Sequence, residues 1–221
     1  MRLIALISGG KDSICALNCA LHKYEVVKLV NVQAVEDSLL YHVPCSRLTR
    51  LISEAVDIPL MMGISFSHED ELALLKTMLQ GAEADGVVAG TIASNYQMSR
   101  LKKLCTQLEL KLYAPLWNKG GERLLRAMAG SMDIIVVQVA AYGMNESWLG
   151  RKLDEGAVDD LSVLHRKYGV HIMGEGGEYE TLVLDAPIFR KRIKVTNYDK
   201  KWFNEQWRGS LEILEVKLEN K

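Results

Sequence analysis

The chain has 221 residues, of which 48% are hydrophobic and 25% charged, with a formal net charge of −1. That length allows one large or two small domains with a buried core, and the ordinary globular mixture excludes disorder, collagen and coiled coil. A charge balance near zero also excludes a nucleic-acid binder that works through overall basicity, leaving only a local basic patch open.

Residues 3–7 form a continuous apolar run, which predicts a strand buried on both faces. A glycine turn follows, then a helix with Ile14, Leu17, Ala20 and Leu21 on one face. The next strand is predicted over 26–32. Leu48, Leu51, Ile52, Ala55 and Val56 recur at helical spacing, and Pro59 opens a strand over 60–63. A helix over 69–83, a short strand over 86–90, a helix over 100–109 and a strand over 110–114 complete this half. The β-α-β-α rhythm predicts a parallel sheet with helices on both faces.

A helix is expected over 122–131, and residues 133–139 read as the strongest strand in the chain. The pattern then changes: a polar, glycine-containing stretch covers 142–160, with a helix expected near 161–168. A glycine-glutamate loop over 174–180 precedes a strand over 181–184 and two late strands near Ile193 and Ile213. The expected division is a nucleotide half, 1–125, and a smaller α/β half, 126–221, with the boundary falling within 118–132. Residues 186–210 hold seven basic side chains against Asp199 and Glu205. Such a run reads first as a solvated edge and second as a docking surface for an acidic partner.

The sharpest local signal is Ser8-Gly9-Gly10-Lys11-Asp12-Ser13, placed where the first strand ends and the first helix begins. Glycine-opened backbone N–H groups at a helix N-terminus cradle an anion. Ser8 and Ser13 add hydroxyls, Lys11 a point charge for phosphate, and Asp12 can cap the helix or help hold Mg²⁺. The string is neither G-x-x-x-x-G-K-[ST] nor G-x-G-x-x-G. It resembles the pyrophosphate loop of the N-type ATP pyrophosphatases, which adenylate an oxygen and let a nitrogen or sulfur nucleophile displace AMP.

A second string, running from Gly169 to Phe189, carries Glu175, Glu178 and Glu180 around Gly176-Gly177. Three carboxylates so close repel one another unless cations or donors face them. Read alone, they suggest a site for Mg²⁺, ammonium or an amine. The segment resembles the signature of the diphthine–ammonia ligase family, also called diphthamide synthetases. Tyr41-His42, the 90–97 segment with Arg100, Ala114-Pro115-Leu116-Trp117, and Leu149-Gly150-Arg151 with Leu153-Asp154 match family segments in order, so the resemblance covers nearly the whole chain and is weakest after Val195. Val43 stands where a threonine is frequent, and Met173 where a cysteine is common.

The resemblance implies a HUP or Rossmann-like nucleotide sheet and a cytoplasmic enzyme that uses ATP and Mg²⁺. It implies ammonia joined to the carboxylate of diphthine on translation elongation factor 2, with neither nucleic acid nor membrane as partner. On it, Ser8, Gly9, Gly10, Lys11, Asp12 and Ser13 bind phosphates, Asn31 and Val32 lie by the adenine at the strand ends, and Asp12 faces the metal. Lys11, Asp12, Glu175, Glu178 and Glu180 are the catalytic candidates, one glutamate serving as base or cation guide. His42, Tyr96, Gln97, Arg100, Gly176, Gly177, Tyr179 and Thr181 are the substrate-side candidates.

The remaining signals are blander. Cys15, Cys19, Cys45 and Cys105 form no C-x-x-C pair, which points to free thiols in a reducing compartment. No apolar run approaches a membrane span, and the N-terminal run is too short for a signal peptide. His22, His68, His165 and His171 lack metal-ligand spacing, and the tryptophans and methionines read as packing residues. Two other readings stay open: another adenylating enzyme, such as a tRNA thiolase, and a non-catalytic adenine-nucleotide module. The missing cysteine pair counts against the first. The Ser-Gly-Gly-Lys-Asp-Ser string counts against the second. A glutamine-dependent amidotransferase is disfavoured because Arg2 follows Met1.

Overall fold

The computed structural model describes residues 1–34, 45–66, 68–119 and 121–221. The candidates Tyr41 and His42 lie outside the described residues. The first half is β1 (Arg2–Leu6), α1 (Lys11–Leu21), β2 (Glu25–Ala34), α2 (Cys45–Val56), β3 (Leu60–Ser65), α3 (His68–Leu79), β4 (Gly86–Val88), α4 (Asn95–Gln107) and β5 (Lys111–Tyr113). Its five strands are all parallel, in the order β3-β2-β1-β4-β5.

Alternation along β1 shows why both faces must be apolar. Leu3, Ala5 and Ile7 join the larger core, while Ile4 turns to a smaller one with Val30, Leu75, Leu79, Val87, Leu104 and Cys105. The smaller core lies between the sheet and α3 and α4. The larger one covers the opposite face under α1 and α2, then continues without a break into the second half.

The second half is α5 (Glu122–Ser131), β6 (Asp133–Ala140), a short 3₁₀ turn (Glu146–Trp148), α6 (Glu155–Tyr168), β7 (Tyr179–Asp185), β8 (Lys191–Phe203), a second 3₁₀ turn (Asn204–Gln206) and β9 (Arg208–Asn220). Its sheet is antiparallel throughout, in the order β7-β6-β9-β8.

Two helices start earlier than hydrophobic spacing indicates, and capping explains both. α4 begins at Asn95 because the Ser94 hydroxyl accepts the Gln97 N–H at 3.3 Å. α6 begins at Glu155 because Asp154 accepts the Ala157 N–H at 2.9 Å, so residues 155–160 are helix and not loop. Gly169 then ends α6 at φ +74°, a left-handed closure that glycine adopts at no steric cost.

The basic run of 186–210 lies largely on β8, which is the edge strand of the antiparallel sheet. Arg190 pairs with Asp57, Lys194 with Glu219 at 2.9 Å, and Lys201 with Glu212. This is a solvated, partly neutralised edge, and lysines on an edge strand also discourage pairing with another sheet. Among the described residues, no helix is long and apolar enough to cross a membrane.

Candidate functional site

The parallel order reverses at β1 and β4, and the carboxyl ends of these neighbours open the crevice where such sheets bind ligands. Residues 8–13 leave β1 at that point. Gly9 takes φ +94°, and Gly10 is the N-cap of α1, bringing no side chain of its own to cap the helix. The N–H groups of Ser8 and Gly9 point at the Ser13 hydroxyl, both at 3.3 Å, and Gly10 N–H points at the Ser8 hydroxyl at 3.4 Å. Three backbone donors and two hydroxyls thus converge at one helix N-terminus, which is a donor set suited to an anion. Just beyond the carboxyl end of β4, Gly90 presses close: a Cβ there would lie 2.8 Å from the Asp12 carbonyl carbon and the Ser13 nitrogen.

The second half closes over this loop through backbone and side-chain bonds. Val183 N–H donates to the Gly9 carbonyl at 3.0 Å, and Lys11 N–H donates to the Thr181 hydroxyl at 3.1 Å. Lys11 is only 3% exposed. Its Nζ donates to Asp12 Oδ2 at 2.9 Å and to the Met173 carbonyl at 2.7 Å, and lies 5.3 Å from the centre of the Tyr179 ring. Asp12 therefore does not cap the helix. It partners Lys11, while its other oxygen, Oδ1, is sealed from solvent and meets no donor among the described residues. An acceptor-only oxygen left without a donor, on a residue that lines both cavities, fits a cation. Burial pushes the Asp12 carboxyl above its ordinary value, the Lys11 ammonium works against that rise, and Glu175 adds to it.

The three glutamates have different surroundings. Glu175 Oε2 accepts the Ala93 N–H at 3.0 Å, tying the glycine-glutamate loop to the start of α4. Glu178 spends both oxygens on its own loop, accepting from His171 N–H at 3.0 Å and Gly176 N–H at 2.8 Å. Glu180 is exposed and lines two cavities. Tyr179 is buried, its hydroxyl donating to the Ile172 carbonyl at 2.7 Å. Burial, with the carboxylates of Asp12 and Glu178 nearby, holds its phenol well above the usual value.

Two cavities meet at this interface. The first, about 470 Å³, combines Ser8, Asp12 and Ser13 with an apolar wall of Val30, Leu75 and Leu101. The second, about 580 Å³, adds Gly10, Lys11, Tyr179 and Thr181. Both volumes suit small-molecule ligands. Ser8, Asp12, Asn31, Val32, Gln97, Gly174 and Glu180 line both, so they form the seam between the two chambers.

Most candidates from the sequence gather here. Gly9 sits behind the loop against Ile52, and Gly176 and Gly177 lie at the exposed turn, Gly177 lining the first cavity. Tyr96 and Arg100 line neither cavity. Arg100 lies over the Tyr96 ring and bonds its hydroxyl on the outer surface of α4. Spacing alone did not reveal Thr91, Gln33, Gln138 or Arg208, which line one cavity or the other. Period-2 alternation with Asn31 was the one available signal for Gln33. Cys15 lies on α1 beside the site, but burial, then Cys19 and Asp12, push its thiol up to about 12. No group of three or more His, Cys, Asp or Glu side chains fit to hold a metal occurs among the described residues.

Comparison with known proteins shows the family to which the chain belongs. Residues 1–112 match the family description "Diphthamide synthase N-terminal domain", and residues 120–218 match "Diphthamide synthase C-terminal domain". Proteins called diphthine–ammonia ligase are similar over most of the chain. The one from Rattus norvegicus is 37% identical over 222 residues, covering 88% of this chain and 83% of its own length. The one from Danio rerio is 37% identical over 219 residues, covering 87% and 86%. The Schizosaccharomyces pombe protein is 37% identical over 221 residues, covering 89% of this chain but 36% of its own. A solved chain described as a predicted subunit of tRNA methyltransferase from Methanocaldococcus jannaschii overlays with a TM-score of 0.44 at 14% identity, covering 85% of this chain and 98% of that one, a likeness too distant to bear on function. The chain belongs to the diphthamide synthase family.

Proposed function

From that membership and the site's geometry, we propose that the protein is an ATP-dependent ligase. It joins ammonia to the carboxylate of diphthine on translation elongation factor 2 and releases AMP and pyrophosphate. The observation that carries this reading is the seam. One anion cradle, Ser8 to Ser13, opens on both chambers, so a nucleotide in one can meet an acceptor from the other. The all-parallel order of the first sheet supports a HUP or Rossmann-like nucleotide domain, with 1–125 and 126–221 as its nucleotide and substrate halves. The acceptor is a cytoplasmic translation factor, and the reading puts the enzyme beside it.

In this reading the apolar wall of the first cavity takes the adenine near Asn31 and Val32, and the loop's N–H groups take the phosphates. The acceptor carboxylate oxygen attacks the α-phosphorus at the seam. The bond to the bridging oxygen breaks, and pyrophosphate leaves into the cradle, where preorganised donors stabilise the departing charge. Ammonia then attacks the acyl carbon of the adenylate, the acyl–oxygen bond breaks, and AMP leaves. The attacking nitrogen gives up a proton, and we assign that proton to Glu180, a carboxylate that lines both cavities. Glu175 and Glu178 fix the loop that presents it. Lys11 contributes positive charge from the second cavity while holding Asp12 and Met173. Gln97, Tyr179 and Thr181 shape the acceptor side, and Asp12 would hold Mg²⁺, which supplies further neutralisation of the phosphates.

The thiolating alternative asks for an activated cysteine pair, and a Cys15 thiol pushed up to about 12 does not offer one. The test is product analysis with ATP, ammonium and diphthine-bearing elongation factor 2. The expected products are AMP, pyrophosphate and an amidated factor, each dependent on the acceptor. Formation of ADP and phosphate, or AMP formation without any need for the acceptor, would refute the ligase reading.

A further inference from the structure

The second cavity holds recognition groups that the reaction above leaves unused. Gln33 sits on β2 two residues beyond Asn31, hence on the same side of the strand. It is 7% exposed and lines this cavity, and its Nε2 meets no acceptor among the described residues. A buried amide donor without a partner is costly unless an acceptor arrives from a ligand.

Arg208 belongs to the same wall. It opens β9 opposite Ala140, the last residue of β6. The preceding residue, Trp207, takes φ +48°, a left-handed conformation that a bulky side chain adopts only when its surroundings hold it. Its ring packs edge-to-face on Tyr142 at 4.8 Å, and Tyr142 packs in the same way on Tyr168 at 5.1 Å. This aromatic stack fixes the turn that delivers Arg208 to the cavity. A guanidinium presents a planar fork that matches a carboxylate, and a primary amide adds one further donor.

We propose that Gln33 and Arg208 recognise the acceptor carboxylate in the second cavity. This rests on the ligase reading and deepens it. Arg208 and Gln33 Nε2 hold the carboxylate from the side away from the seam, leaving an oxygen directed at Ser8 and Asp12, where the α-phosphorus would lie. The same pair distinguishes substrate from product. Amidation removes the negative charge and puts an N–H donor where Arg208 needs an acceptor, so the amide is held less well and leaves.

The test is titration calorimetry of the AMP-loaded protein with elongation factor 2 bearing either diphthine or its amide. Wild type is expected to bind the acid form at least tenfold more tightly than the amide form. Arg208→Ala and Gln33→Leu are expected to lose that preference, Arg208→Lys to keep part of it, and all three to bind AMP within twofold of wild type. A merely structural role would weaken both forms, or AMP, together. Equal binding of acid and amide by wild type would overturn the inference. So would a preference that survives both variants, or a matching loss of AMP affinity. Turnover is read separately: an acid preference in a wild type that releases no AMP would sink the ligase reading and leave the carboxylate chamber standing.

Discussion

Lys11 Nζ donates to the Met173 carbonyl at 2.7 Å, joining residues 162 positions apart. The bond fastens the loop after β1 to the segment leading into the glycine-glutamate loop, and the same ammonium neutralises Asp12. One buried cation therefore sets the distance between the anion cradle and the glutamates.

Lys11→Met keeps the side chain's bulk and removes the charge. It strands the Met173 carbonyl and leaves Asp12 without its cation. The expected stability loss is about 2 kcal/mol, read from urea unfolding, and turnover is expected to fall at least a hundredfold. Wild-type stability in this variant would contradict the fastening role.

Glu178 and Glu180 separate position from chemistry. Glu178→Ala removes two backbone bonds, so protease cleavage within 169–180 is expected to rise together with a loss of about 1–2 kcal/mol. Glu180→Gln is expected to leave cleavage unchanged and lower kcat at least a hundredfold, within the range for losing a general base. Equal kcat effects with equal cleavage would remove the distinction.

The sequence made the first site half legible because its signals are local. An apolar run before two glycines marks a strand-to-helix turn, and the fold keeps Ser8 to Ser13 at that turn while tying Lys11 to Asp12 and Met173. Partners distant in sequence were not legible. Nothing near Lys11 indicates Met173, and nothing near Gln33 indicates Arg208, because the bonds and packing that join the two halves link residues far apart in the chain. The start of α6 was hidden because Glu155, Asp159 and Asp160 face solvent and only Ala157, Val158, Leu161 and Ser162 are buried. The antiparallel second sheet was hidden for a similar reason, since β8 is exposed at most positions and carries little hydrophobic pattern. Tyr96 and Arg100 lie in a family segment, yet they pair with each other on the outer surface of α4.

The cysteines are expected to be spectators. A raised pKa means the neutral thiol prevails at neutral pH, and the thiolate forms only as pH climbs toward about 12 at Cys15. Burial raises Cys105 as well. Iodoacetamide labelling of Cys15 and Cys105 in the native protein is expected to be slow at pH 7.5, with the Cys15 rate still rising above pH 9, where an ordinary thiol levels off. A variant with Cys15, Cys19 and Cys105 all changed to alanine is expected to keep its turnover within about threefold, allowing for modest repacking. Loss of activity in that variant would point to thiol chemistry.

Gly90→Ala places a methyl group 2.8 Å from the backbone of Asp12 and Ser13. Backbone cannot swing aside as a side chain can, so the cradle must shift. The expected cost is about 2 kcal/mol, with KM for ATP raised several-fold. Unchanged ATP kinetics would mean that the segment after β4 does not set the cradle's shape.

The most direct measurement follows oxygen. Diphthine on elongation factor 2 is labelled with ¹⁸O in its carboxylate and turned over with ATP and ammonium, and the products are weighed by mass spectrometry. An acyl-adenylate at the seam predicts one ¹⁸O in the AMP phosphate and none in pyrophosphate. Label in pyrophosphate or inorganic phosphate, or unlabelled AMP beside amidated product, would contradict adenylation at the Ser8–Ser13 cradle.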